Sequence, residues 1–114
     1  MEELALFAKT PKAPYYVVIF TSIKIDEDKG YGEMSKKMLD LLKVQEGFLG
    51  FESAREELGI TVSYWKDEES IIKWKANSQH IEAQKLGKEI WYKQYKIRVA
   101  KVERDYEFVY KGYR

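Results

Sequence analysis

Cysteine is absent from this 114-residue sequence, which excludes disulfides, thiolate nucleophiles and thiolate-held metals together. A reducing compartment is compatible with that absence. Histidine is almost missing as well: His80 stands alone, with no second histidine at a ligand spacing, so the pattern is no zinc signature and no metal site is expected. Proline occurs twice, at Pro11 and Pro14, which interrupts regular backbone hydrogen bonding near the N-terminus and leaves the rest of the chain free of it. No apolar run approaches the roughly 20 residues needed to span a bilayer. Residues Met1 to Lys9 are acidic where a signal peptide would be basic. A soluble, cytoplasmic protein is expected. There is no excess of charge either, with 20 Lys and Arg against 19 Asp and Glu. Because the basic residues are also scattered, neither nucleic acid nor membrane is expected as a partner.

What the chain does have is aromatic surface, at 15% of residues, including nine Tyr and three Trp. Tyrosine and tryptophan combine a large apolar body with a hydrogen-bonding tip. They suit a subunit interface or a pocket for a flat ligand equally well. The length fits one domain, and at this size a lone copy buries only a modest share of its surface, so a partner subunit would help.

Hydrophobic periodicity orders the elements. Residues 1–14 read as a leader broken by Pro11 and Pro14, and 109–114 as a tail, with the domain over 15–108. Tyr15 to Ile25 opens with Tyr15-Tyr16-Val17-Val18-Ile19-Phe20, apolar on both faces, which predicts a central strand. After the polar loop Asp26 to Gly30, the residues Tyr31, Met34, Met38, Leu41 and Leu42 recur at helical spacing, and Gly47 closes that helix. Phe48 to Arg55 and Ile60 to Trp65 alternate as half-buried strands around a Glu57-Leu58-Gly59 turn. Asp67, Glu68 and Glu69 then set negative charge at a helix start, ahead of a stripe of Ile71, Trp74 and Ile81. On one straight helix His80 would face water, but Asn77-Ser78 are good capping residues. A restart there would put His80, Ala83, Gln84, Gly87 and Trp91 on one face. The last alternating run, Tyr95 to Phe108, changes its apolar side near Val99 and Ala100, as a bulge or a crossing into a neighbouring subunit would require.

Strand, helix, strand, strand, helix, strand is the ferredoxin-like α+β order, βαββαβ, with a four-stranded antiparallel sheet and both helices on one face. The opposite face of the sheet would stay bare in a lone copy, and two sheets packed face to face as a homodimer would cover it.

Tyr15-Tyr16-x-Val18-Ile19-Phe20-Thr21-Ser22, Gln45-x-Gly47-Phe48-Leu49-Gly50-x-Glu52-Ser53-Ala54-Arg55 and Gly59 to Trp65 carry a family resemblance, continued by His80-x-x-Ala83-Gln84-x-x-Gly87, Trp91-Tyr92 and Arg98-Val99-Ala100-x-Val102-Glu103-Arg104. Over about Tyr15 to Phe108 the chain resembles the antibiotic-biosynthesis-monooxygenase superfamily of dimeric α+β barrels. The resemblance implies a cofactor-independent monooxygenase acting on a flat, oxidisable organic compound whose own enolate or phenolate supplies electrons to oxygen. It places a pocket tryptophan at Trp65, although Thr61 and Val62 stand where an asparagine is often found a few residues earlier.

Two candidate residues for chemistry follow. Trp65 would either border the pocket or fill the gap between sheet and helix. His80 would be a base or hydrogen-bond donor if it faces inward, and a surface or capping histidine otherwise. Trp74, Gln84, Trp91 and Arg98 are the candidate substrate-binding residues, with Glu52, Arg55, Glu103 and Arg104 as a polar rim or as surface ion pairs. Haem-degrading relatives carry an axial histidine late in the second helix. Here Trp74, Ser78 and Ala83 fit their pattern, but Gln84 stands at the ligand position, and Gln is a poor haem ligand. No cofactor is therefore expected, and a non-catalytic dimeric binding domain is the competing class.

Overall fold

The computed structural model describes residues 6–25, 30–77 and 91–112. The elements run in the order β1 (Tyr15–Lys24), α1 (Tyr31–Lys43), β2 (Phe48–Arg55), β3 (Gly59–Trp65), α2 (Glu68–Ala76) and β4 (Tyr92–Val102). The strands form a four-stranded sheet ordered β2-β3-β1-β4, antiparallel at each pairing. This is the ferredoxin-like α+β fold predicted from the periodicity. The double-sided apolar pattern of Tyr15 to Phe20 has its explanation here, because β1 is a central strand paired on both edges.

Register assigns each residue a face. Val18 pairs with Ser63 on one side and Val99 on the other, and Tyr16 pairs with Trp65. These residues face the helices: Leu42 of α1, Ile71 of α2 and Trp65 form the buried core, with Tyr16, Val18, Leu39, Phe48 and Trp74 packed against it. Val17, Ile19 and Thr21 fall on the opposite face, opposite Tyr64, Val62 and Ile60 of β3 and Ala100, Arg98 and Lys96 of β4. Neither helix packs on that second face.

Two irregularities modify the alternation. In β2 the register slips between Phe48 and Gly50, so Phe48 and Phe51, three residues apart, reach the same face, their rings 6.5 Å apart. In β4 it slips opposite Ile23 and Lys24, where Gln94 pairs with Ile23 but Tyr92 pairs with Lys24. The expected change of side at Val99 and Ala100 does not occur. Pairing runs unbroken through both residues and stops at Val102, and 103–110 continue as an exposed stretch outside the sheet.

Chain reversals follow from local chemistry. Gly30 starts α1 with φ of 90°, and Gln45 Nε2 donates to the Leu41 carbonyl at 3.1 Å at its end. Gly47, φ 84°, brings the α1–β2 loop so close to α2 that an added Cβ would stand 2.0 Å from Ser70 Oγ. Asp67 caps α2 by accepting from the Ser70 backbone N–H at 2.8 Å, and its carboxyl is held below the usual aspartate range chiefly by the bonds from Ser70. That helix ends at Ala76, with Asn77 extended; the break predicted at Asn77-Ser78 is thus present on its N-terminal side, and any restart lies outside the described residues. No helix among the described residues is long and apolar enough to cross a membrane.

The leader is not detached. Residues 6–14 come to one end of the open sheet face, where the Ala8 backbone N–H donates to Glu52 Oε2 at 2.9 Å and Tyr64 OH donates to Glu52 Oε1 at 2.7 Å. Nearby, Thr10 Oγ1 donates to Tyr15 OH at 3.1 Å and Tyr15 donates to Asp105. Residues before β1 and after β4 are thereby fastened to the same end of the bare face.

Candidate functional site

A cavity of about 390 Å³ lies between the sheet and the helices, within the size range of small-molecule sites. Its floor includes Val18 and Phe20 of β1, Thr61 and Ser63 of β3, and Ile97 and Val99 of β4. Met34, Met38 and Leu42 of α1 close one side, and Ile71 and Trp74 of α2 another. These residues line it because the helix-facing positions of β1, β3 and β4 sit in one row across the sheet, and the methionines of α1 repeat at helical spacing above them. Val99 is 50% exposed, which marks the open side.

At one end the lining turns from aliphatic to aromatic. Tyr31 from the start of α1, Trp91 just before β4, and Tyr92 and Tyr95 of β4 meet there. Tyr92 OH donates to Tyr31 OH at 3.2 Å, and their rings stand 5.6 Å apart and nearly perpendicular. Phe20 packs against both Tyr92 and Tyr95, at 5.5 and 5.4 Å, and Lys24 Nζ lies 4.7 Å from the centre of the Tyr31 ring. Burial, reinforced by the bond to Tyr31, raises the Tyr92 phenol above the ordinary tyrosine value. Among the described lining residues the ionisable groups are Tyr31, Tyr92, Tyr95 and Lys75. Among the described residues no three metal-ligating side chains gather.

The structure brings some of the predicted site residues together and separates others. Trp74 and Trp91 both line the cavity. Trp65 is fully buried and lies behind it: its ring stacks on Trp74 at 6.4 Å and meets Phe48 edge-on at 5.5 Å, while Nε1 donates to Ser63 Oγ at 2.9 Å. That position matches the gap-filling alternative, since the indole N–H is engaged by its own strand. Arg98 was expected at the cleft and is corrected by the register: it pairs with Ile19 and projects from the bare face. Glu52 shares that face and binds the leader. Arg55 lies on the helix face, where it donates to the buried Ser22. His80 and Gln84 lie outside the described residues, and the haem reading, which turns on them, lies there too.

Sequence reasoning missed the tyrosine cluster. Tyr31 was visible as a helix-stripe residue and Tyr92 as part of Trp91-Tyr92, yet the two are separated by 61 positions, and the slip that turns Tyr92 toward the helices leaves no trace in the alternation.

A family model described as antibiotic biosynthesis monooxygenase matches residues 14–86. An uncharacterised protein of Bacillus subtilis, YqjZ, is 48% identical over 99 residues, spanning 85% of this chain and 87% of that protein. The chain belongs to the antibiotic biosynthesis monooxygenase family. Its fold is also that of SnoaB from Streptomyces nogalater, a cofactor-independent oxygenase, with a TM-score of 0.69 at 9% identity over 82% of this chain and 97% of that one. A conserved protein from Methanosarcina mazei Go1 is similar in the same way, with a TM-score of 0.68 at 18% identity over 76% and 91% of the two chains.

Proposed function

We propose that this protein is a cofactor-independent monooxygenase whose substrate is a small, flat, oxidisable organic molecule bound between sheet and helices. The observation that carries the reading is the aromatic-ended, largely apolar cavity of about 390 Å³ in a chain of this family. SnoaB, which shares the fold, is a cofactor-independent oxygenase, and such chemistry asks little of a protein beyond a dry site that holds the substrate still. In a reaction of this class a ring CH₂ flanked by aromatic carbons becomes a ketone. One atom of O₂ enters the product, the other leaves as water with the two hydrogens from carbon, and the substrate anion supplies the electrons. Val18, Met34, Met38 and Trp74 exclude water from the ring system, and the tyrosine end meets its polar atoms. His80 is assigned the proton transfer and Gln84 a contact to substrate. The protein works as a homodimer in the cytoplasm, the second copy covering the bare sheet face.

The test is oxygen uptake with a panel of hydroquinones and anthrones. Turnover by the natural protein, reduced at least tenfold in Trp74→Ala or His80→Ala, is the expected result; no uptake with any member of the panel overturns the proposal. A second reading, a non-catalytic dimeric binding domain, is favoured by one observation: the described cavity lining holds no histidine, aspartate or glutamate to serve as a base. Binding of the same compounds without oxygen uptake would establish it.

A further inference from the structure

The slip in β4 has a specific consequence for the cavity. Strict alternation from Tyr95 would send Tyr92 to the bare face, together with Arg98 and Ala100. One extra residue in β4 opposite Ile23 and Lys24 turns Tyr92 to the helix side instead, next to Tyr95, with their rings 5.7 Å apart. There it meets Tyr31, whose ring also stands 5.8 Å from Trp91. Three phenols from two distant parts of the chain thus converge at one end of a cavity whose remaining walls are mostly carbon.

Such an arrangement is costly as mere filling. A buried hydroxyl needs a partner, and phenylalanine would supply the same ring contacts without that demand. Tyr92 meets the demand by donating to Tyr31. A phenol is both donor and acceptor, so hydroxyls in a row polarise one another and strengthen the bond offered by the last member. Cations stand nearby: Lys24 over the Tyr31 ring, and Arg55, fastened to Ser22, close enough to act on the Tyr92 phenol.

We propose that Tyr31, Tyr92 and Tyr95 form the polar end of the ligand site, receiving a hydroxyl or carbonyl oxygen of a flat ring compound whose hydrocarbon part extends along Val18 toward Trp74. The inference rests on the cavity being the ligand site, and it adds the orientation: one oxygenated edge at the β4 bulge, the carbon edge toward α2. The three tyrosines are positioning and specificity residues.

The experiment is equilibrium dialysis of the full-length protein with two probes of the same shape, 2-naphthol and naphthalene. The natural protein is expected to bind 2-naphthol more tightly. In Tyr92→Phe, which keeps every ring contact, the ratio of the two affinities is expected to fall about fivefold, the usual worth of one hydrogen bond. Tyr31→Phe and Tyr95→Phe serve as independent variants, with thermal unfolding confirming that each is folded. A ratio unchanged in all three overturns the inference alone and leaves the cavity as a ligand site. Failure of the natural protein to bind either probe overturns the inference together with the cavity reading.

Discussion

The indole Nε1 of Trp65 donates to Ser63 Oγ, two residues earlier on the same strand face, at 2.9 Å. The largest fully buried side chain of the described molecule therefore has its polar atom satisfied inside β3. Trp65 is a wall behind the cavity, and its first duty is to the core that joins the sheet to α1 and α2.

That relationship is testable by a double-mutant cycle. Ser63→Ala leaves a buried N–H unpaired and should destabilise the fold by about 2 kcal/mol. Trp65→Phe should cost roughly 2 kcal/mol through lost packing. In the Trp65→Phe background the Ser63→Ala change should cost much less, because no indole N–H remains to be orphaned. Urea unfolding of the four proteins checks this; equal costs of Ser63→Ala in both backgrounds would refute the bond.

Gly47 makes a sharper prediction. Its φ of 84° is strained for a side chain, and a Cβ there would collide with Ser70 Oγ at 2.0 Å, at the first turn of α2. Gly47→Ala should lose about 2 kcal/mol or more. Gly30, also at positive φ but with open space around it, should lose only about 1 kcal/mol on the same change. Comparable losses at both positions would show that the loop yields to α2.

Alkaline pH should destabilise the fold through its tyrosines. Burial raises the Tyr64 and Tyr92 phenols above their ordinary value of 10.0, helped by Glu52 in the first case and Tyr31 in the second. Above pH 10 the unfolded chain releases these protons while the native chain keeps them, so unfolding is favoured. The contribution is fully present below pH 10 and is lost as pH rises from there through the folded values. Urea midpoints across the alkaline range should therefore fall, and fall less steeply in Tyr92→Phe.

The bare sheet face should behave as an interface. Ala100 is exposed on it, and beyond Val102 the exposed Tyr106, Phe108 and Tyr110 extend from the same strand. Ala100→Glu would bury an unpaired charge between two sheets, and truncation after Glu103 would remove the aromatic extension. Sedimentation should show a dimer for the natural protein and a shift toward monomer for both variants. A natural protein that sediments as a monomer at micromolar concentration would sink the dimer.

Much of the candidate site could be read before any coordinates. The helix repeat of Tyr31, Met34 and Met38 supplied the roof, and the alternation through Tyr95, Ile97 and Val99 supplied part of the floor. The same alternation already separated Arg98 from them by parity, so its expected place at the cleft yielded to the pleat of the strand. What escaped were one-residue events: the slip that turns Tyr92, the one that unites Phe48 with Phe51, and the end of pairing at Val102, past which a run that alternates as a strand should leaves the sheet.

By itself, then, the amino-acid sequence determined the order of elements, the two-faced central strand, the glycine turns and the capped start of α2, because each follows from interactions among residues a few positions apart. Tertiary structure alone decided that Tyr31 meets Tyr92, that Trp65 spends its N–H on Ser63, and which strand edge ends where. Those outcomes depend on register, and register is a competition among pairings of distant segments, in which the displacement of one residue reverses the face a side chain occupies.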